Sequence, residues 1–406
     1  MRMWMGVAAA GVLWFVVAGM ETARGNAPAP ASRPGAGTAA TRRAGFPSMF
    51  AASSYAPAVP ADPNQLPCLA DRPTQPRFKV TGRVWPAKAG EADICLWADD
   101  KLAAFCFGVD DNWQSDHAWW LEQQKKYGFP CTWFVITGRV GTGGFWGSWD
   151  DWKKLLAAGN DVQSHTVTHL AVDEPNYKGV EWDYAESARQ IERNLPGHKV
   201  SVIAYPGGKN QDRNSRELAA KYYLAARGVI GTPNPADKVD YLNVNATSGL
   251  HPGTNPKAPW ADIRQLIDAN NRLYFRGWGF YFTHGVDREK APLVMDYLKE
   301  HPADFWVGLF SEQARYGQER DTAKLVPAAG GTGAIRFTLT DRMDDSRFDY
   351  PLTVKVRLPD DWKAASAKQA GKGIEAKVIV HDGARYALVK AVPDRGEVVL
   401  SAGEGK

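Results

Sequence analysis

The sequence predicts an α/β domain, a wound parallel sheet or β/α barrel, followed by a small antiparallel β-sandwich. Three observations carry this. Between residues 100 and 316, short and almost wholly apolar runs alternate with segments of helical pattern, as a parallel sheet covered on both faces requires. After about residue 325 the runs instead alternate apolar and polar residues, the mark of half-buried antiparallel strands. Finally, 406 residues with 44% hydrophobic content can bury two cores rather than one.

The chain begins with Arg2 and an apolar run to Met20, with small residues near Gly25 and Ala27. Residues 1–27 therefore read as an export signal, and the protein as secreted, periplasmic or cell-surface. A retained anchor is the alternative, because the run approaches bilayer-spanning length, and it would be the only route to a membrane. Residues 28–64 are rich in Ala, Pro, Gly and Ser and form a linker that cannot bury enough surface to order itself. Cys68, Cys95, Cys106 and Cys131 show no Cys-x-x-Cys spacing. Export permits disulfides, with Cys68 and Cys95 a candidate staple and Cys106 and Cys131 in apolar runs as buried thiols. A net charge of +4 without a long basic run excludes nucleic acid as a partner.

Residues 65–325 form the main domain with an N-terminal extension. A strand is expected at 78–85, then a buried strand at 103–109 and a helix at 115–127 that stops at Gly128. Strands at 131–136, 161–164, 199–204, 241–244, 278–283 and 306–310 alternate with helices at 149–158, 182–194, 213–224, 262–273, 292–301 and 311–316. The last domain, 326–406, carries strands at 334–339, 352–358, 375–380, 386–390 and 397–401. Its only candidate aromatic platform is Tyr350 and Trp362, which favours a bracing role over sugar binding.

In such folds the chemistry sits at the carboxyl ends of the strands. Four polar clusters fall there: Asp110-Asp111, His165 with His169, Tyr205-Pro206-Gly207-Gly208 and Thr283-His284-Gly285. If the segment from Ser164 starts a helix, His165 and His169 at i and i+4 share a face and reach one metal ion. Each cluster alone is ordinary, a helix cap, a core histidine or a turn; together at one rim they are specific.

The set resembles the polysaccharide deacetylases with the NodB homology domain, carbohydrate esterase family 4. Phe107-Gly-Val-Asp110-Asp111 is similar to that family's first motif, Ser164-His165-Thr-Val-Thr-His169 to its second, Ala204-Tyr-Pro-Gly-Gly208 to its third and Phe282-Thr-His284 to its last. The resemblance implies a distorted barrel of the NodB type. It makes Asp111, His165 and His169 ligands of a divalent metal, zinc first, with Co, Ni or Mn as alternatives. It also makes Asp110 the general base, His284 the general acid and the Gly207 backbone N–H an oxyanion contact. Two imidazoles and one carboxylate suit zinc and leave a coordination position open. Trp113, Tyr205 and Phe282 are the substrate-binding candidates, with Trp146, Trp149 and Trp152 behind them.

Two departures stand out. Ala204 occupies a position where that family often has an Arg, and the Asp-x-x-Asp-Trp element is replaced in its region by Asn243-Val-Asn245. Arg227 and Asp287 are the positional substitutes. The expected activity is removal of N-acetyl groups from an acetylated polysaccharide or oligosaccharide. The rivals are an O-acetyl polysaccharide esterase and a carbohydrate-binding protein with a degenerate site.

Overall fold

The computed structural model describes residues 62–69, 75–172, 179–208, 213–251, 261–328 and 333–403. All of these lie in one compact unit, Ser48–Lys406. The export segment and nearly all of the linker lie outside them. No helix among the described residues is long and apolar enough to cross a membrane.

Taken along the chain, β1 (Ala92–Ile94) precedes β2 (Ala103–Val109), α1 (His117–Tyr127), β3 (Cys131–Val135), α2 (Trp149–Ala157), β4 (Asp161–Ser164) and α3 (Val180–Asn194). Next come β5 (Val202–Ala204), α4 (Arg213–Tyr222), β6 (Ala225–Arg227), α5 (Ala261–Arg264), β7 (Trp278–Thr283), α6 (Lys290–Glu300), β8 (Phe305–Val307) and α7 (Phe310–Thr322). The chain then forms β9 (Lys324–Pro327), β10 (Ala334–Thr340), β11 (Leu352–Arg357), β12 (Ala365–Gln369), β13 (Lys372–Ile374), β14 (Ala376–His381), β15 (Ala384–Ala391) and β16 (Val398–Ala402).

The parallel sheet runs β6-β5-β4-β3-β2-β7, with β8 joined to β2. β8 pairs with Ala103–Phe105 of β2, and β3 pairs further along the same strand from Phe107 to Val109. Every residue of β2, β3 and β7 is buried, as the continuous apolar runs predict. The gap between β6 and β7 is closed by single bridges, Val244 to Arg227 and Thr247 to Tyr281, both parallel. The sheet is therefore a distorted barrel, and 241–244, expected as a strand, is reduced to one bridge of that closure.

Two antiparallel sheets follow, β1-β11-β15-β14 and β13-β12-β16-β10-β9. The first borrows β1 from ahead of the barrel, in register Ala92 to Val356. One hydrophobic core runs from the barrel interior (Cys106, Phe134, Trp278, Phe280) through Phe310 and Tyr316 of α7 into Phe337, Val354, Val389 and Leu400. A second lies between the sheet and its outer helices, around Phe105, Phe107, Trp120, Trp133 and Trp152.

Several expectations need correction. Residues 78–85 form no strand, because side chains take the place of a partner strand. Arg276 Nη1 donates to the Thr81 and Gly82 carbonyls at 3.1 and 2.9 Å, and Lys355 Nζ to the Val84 carbonyl at 2.7 Å. The helix expected over 262–273 ends at Arg264. Asp268 and Asn271 accept hydrogen bonds from the amides of Asn270, Leu273 and Tyr274, so turns outcompete the helix there. Cys95, Cys106 and Cys131 are buried thiols without a disulfide, so the Cys68–Cys95 staple is not made. Trp362 is buried in the core and Tyr350 stacks on Trp306 at 6.1 Å, so neither is an open platform.

Candidate metal centre and active site

The rim at the carboxyl ends of β2, β4, β6 and β7 carries the candidate chemistry. Directly after β2, Asp111, Asn112 and Trp113 occupy the left-handed region in succession, with φ of 56°, 67° and 30°. Such a run is costly for non-glycine residues and persists only where its surroundings impose it. Asn112 does so here: its Oδ1 accepts from the Ile136 amide at 2.8 Å and its Nδ2 donates to the Trp146 carbonyl at 2.9 Å. The turn aims Asp111 across to the end of β4.

There the two histidines converge without a helix. Residues 165–170 are irregular, and Thr166 and His169 have φ of 65° and 60°. The i, i+4 geometry expected of a helix is thus replaced by a loop that brings the rings to the same place. Asp111 Oδ1 lies 3.4 Å from His165 Nε2 and 3.1 Å from His169 Nε2. His165 Nδ1 contacts the Ala204 carbonyl at 2.8 Å, so the ring donates there and presents its Nε2 lone pair toward Asp111. The three ligand atoms lie within 4.8 Å of one another, and Asp111 Oδ1 is buried without a hydrogen-bond partner. One carboxylate oxygen and two imidazole nitrogens facing a common point, one of them fixed from behind, fit a divalent ion such as zinc.

Asp110 points the other way. It is 2% exposed and its Oδ2 receives Arg227 Nη2 in a short ion pair, while Arg227 is itself completely buried. The guanidinium is sandwiched between rings, 4.4 Å from Phe282 and 5.4 Å from Phe134. His284 Nε2 lies 3.7 Å from both Asp110 Oδ2 and Asp111 Oδ2.

The electrostatics follow this layout. Burial opposes the charge on Asp111, but the facing imidazoles of His165 and His169 outweigh it and hold the carboxyl well below the usual range. His169 is raised, first by its contact with Asp111. Burial lowers His284, against the pull of Asp110 and Asp111.

Residues 98–226 match the family model described as polysaccharide deacetylase. The family recognised in these residues is that of the polysaccharide deacetylases. The chain is also 36% identical over 346 residues to a gellan lyase of a Bacillus species, covering 78% of this chain. It spans only 13% of that relative's length. Among solved structures it is similar to a Streptococcus pyogenes deacetylase in complex with acetate, at 22% identity, TM-score 0.32, over 35% of this chain and 62% of that one. It is similar as well to a Bacillus anthracis pseudoenzyme of carbohydrate esterase family 4, at 15% identity, TM-score 0.37, over 53% and 66% of the two chains.

On the same rim, Trp113 is half-buried. Gly285, at φ 102°, makes room for it: a Cβ there would meet the indole at 2.9 Å. Trp113 also makes an edge contact with Phe145 at 5.0 Å, and its Nε1 is buried without a partner. Phe145, Leu170, Val229 and Ile230 are exposed on the surrounding loops.

Other candidates fall elsewhere. Tyr205 is fully buried with its hydroxyl on the Leu242 carbonyl at 3.0 Å, so its side chain does not face a substrate. Phe282 is 6% exposed and serves Arg227 and His284, whose ring it meets at 5.6 Å. Trp152 is core, and Trp146 lies under Arg139 at 5.6 Å. Gly207 sits exposed at φ 61° on the turn after β5. Asp287 is no partner for His284: its Oδ1 accepts from the Glu289 and Lys290 amides at the start of α6. Besides Phe282, the ring of His251 lies near His284, at 6.1 Å.

Sequence reasoning missed the short strand β6, Phe145, His251 and Asp183, whose carboxylate accepts from the Val167 and Thr168 amides. A polar residue on the buried face of a helix directly after the histidine motif was the available signal for Asp183.

Proposed function

We propose that this chain is an exported, metal-dependent deacetylase that hydrolyses N-acetyl groups of amino sugars in a polysaccharide or oligosaccharide. The observation that carries the reading is the convergence of Asp111, His165 and His169 beside an acid-base pair, Asp110 and His284. A divalent ion held by the three ligands would supply Lewis acidity, acidifying a water and polarising the acyl carbonyl. Asp110, oriented by Arg227, takes the proton of the attacking water. His284 returns a proton to the departing amine, the side chains lying close enough to serve one tetrahedral centre. The Gly207 N–H is assigned to the developing oxyanion, and Trp113 with Phe145 to the face of the sugar ring. Export is supported by the basic start and apolar run of residues 1–20.

A second reading, an O-acetyl esterase on a glycan polymer, is favoured by the relative named for gellan. Acetate release from partly acetylated chitooligosaccharides and from acetylated xylan, with zinc or cobalt restored after chelation, separates the two. Preferential release from xylan would replace the amide reading with the ester one. Indifference to chelation would overturn both.

A further inference from the structure

The His-x-x-x-His motif lies on an irregular loop, so something other than helical geometry must hold its two Nε2 atoms at one point. α3 supplies the hold. Asp183 and Ser187 stand four residues apart and so share a face of that helix, and both are completely buried. Asp183 Oδ1 accepts from the backbone amides of Val167 and Thr168 at 2.6 and 3.0 Å, and its Oδ2 from Thr168 Oγ1 at 2.6 Å. Ser187 Oγ accepts from Ser164 Oγ at 2.8 Å, and Ser164 Oγ in turn accepts from the Thr166 amide at 3.1 Å.

With the His165 amide on the Val135 carbonyl and the His169 amide on Thr166 Oγ1, every amide from 165 to 169 has a fixed acceptor. The two amides in the middle of the loop both depend on one carboxylate. Thr166 and His169 sit at positive φ, which such bonds must stabilise.

We propose that Asp183 is the positioning residue of the metal centre: from α3 it fixes the loop between the two histidine ligands and so sets the affinity of the site for its divalent ion. This rests on the metal-binding reading above. A merely structural Asp183 would alter the melting temperature and leave metal affinity alone; a positioning residue alters affinity.

The test uses the full chain and measures Zn2+ affinity by competition with a chromogenic chelator, the Co2+ d–d spectrum, and melting of the metal-free protein. Asp183→Ala should weaken Zn2+ binding by roughly 10- to 100-fold, the usual cost of losing an outer partner of a metal ligand, and change the Co2+ spectrum. Asp183→Asn still offers an oxygen to both amides and should remain within about threefold of the parent. If Asp183→Ala does not fold, Thr168→Val, which deletes the Oδ2 bond together with the 3.3 Å bond that Thr168 Oγ1 accepts from the Leu170 amide, should still weaken binding several-fold. Parent affinity and an unchanged spectrum in the folded variant, whatever its melting temperature, would overturn the proposal. His169→Ala tests the centre itself: if it binds Zn2+ as the parent does, the metal reading fails, independently of Asp183.

Discussion

Replacing Arg227 with methionine should lower turnover by roughly 10²- to 10³-fold while leaving zinc bound. Arg227 is fully buried and Asp110 is 2% exposed, and Asp110 Oδ1 has no hydrogen-bond partner, so the guanidinium is the main compensation for this carboxylate. For charge centres about 4 Å apart at an effective dielectric constant near 20, the interaction is about 4 kcal/mol. Breaking a buried pair by removing one partner costs about 3–5 kcal/mol, in agreement. That loss comes out of a total stability of about 5–15 kcal/mol, so the variant should melt earlier yet still fold. Methionine keeps apolar volume between Phe134 and Phe282, which confines the change to charge and to the orientation of Asp110.

The assay is acetate release at saturating substrate and zinc, with zinc titration and thermal melting in parallel. A kcat within threefold of the parent, with zinc bound, would refute the role of the ion pair. The pairing of β5 and β6 adds a sharper control, because Ala204 and Arg227 are register partners. Combining Arg227→Ala with Ala204→Arg should recover at least about tenfold of the lost rate, since the guanidinium re-enters from one strand spacing away.

Asp110→Asn should reduce turnover at least about 10²-fold with zinc affinity nearly unchanged, whereas His169→Ala should lose the metal; zinc titration and acetate release read both. Trp113→Ala should raise KM roughly three- to tenfold with little effect on kcat, from steady-state kinetics on a soluble oligosaccharide. Far from the site, burial, with help from Asp394 and Asp345, pushes Asp341 up to about 7. A carboxyl raised in the folded state binds its proton more tightly there than in the unfolded chain, so stability rises as pH falls from 8 toward 5. Melting in the presence of a chelator should show a gain of about 1–2 kcal/mol over that range, which Asp341→Asn should abolish.

The barrel strands were legible because a parallel sheet covered on both faces needs unbroken apolar runs, and Ala103–Val109 and Trp278–Thr283 supply them. What escaped was held together by side chains. Residues 78–85 have strand-like composition but no partner strand, and Arg276 and Lys355 serve their backbone from elements about 200 and 270 residues away. β6 is three residues long, too short for any period to show, and it carries Arg227. The His165/His169 pair converges as expected but not by helical geometry, since the two central amides of the loop bond to Asp183, which only the folded chain brings alongside.

Absence of the familiar arginine at Ala204 would suggest a site that has lost its base, and with it a protein kept only for binding. The geometry removes that ground. Paired residues of adjacent parallel strands project to the same face about 4.8 Å apart, so a long side chain on either can reach the same carboxylate. Asp110 requires a buried, oriented cation, and Arg227 provides one from the neighbouring strand with two aromatic faces to keep it planar to its target. The vacant aspartate position is different. Asp287 is committed to α6, and among the described residues the acids within 4 Å of His284 are Asp110 and Asp111 themselves. On the proposed mechanism, the base side of the site is therefore rebuilt in place, while the acid side relies on the two aspartates assigned to the base and the metal.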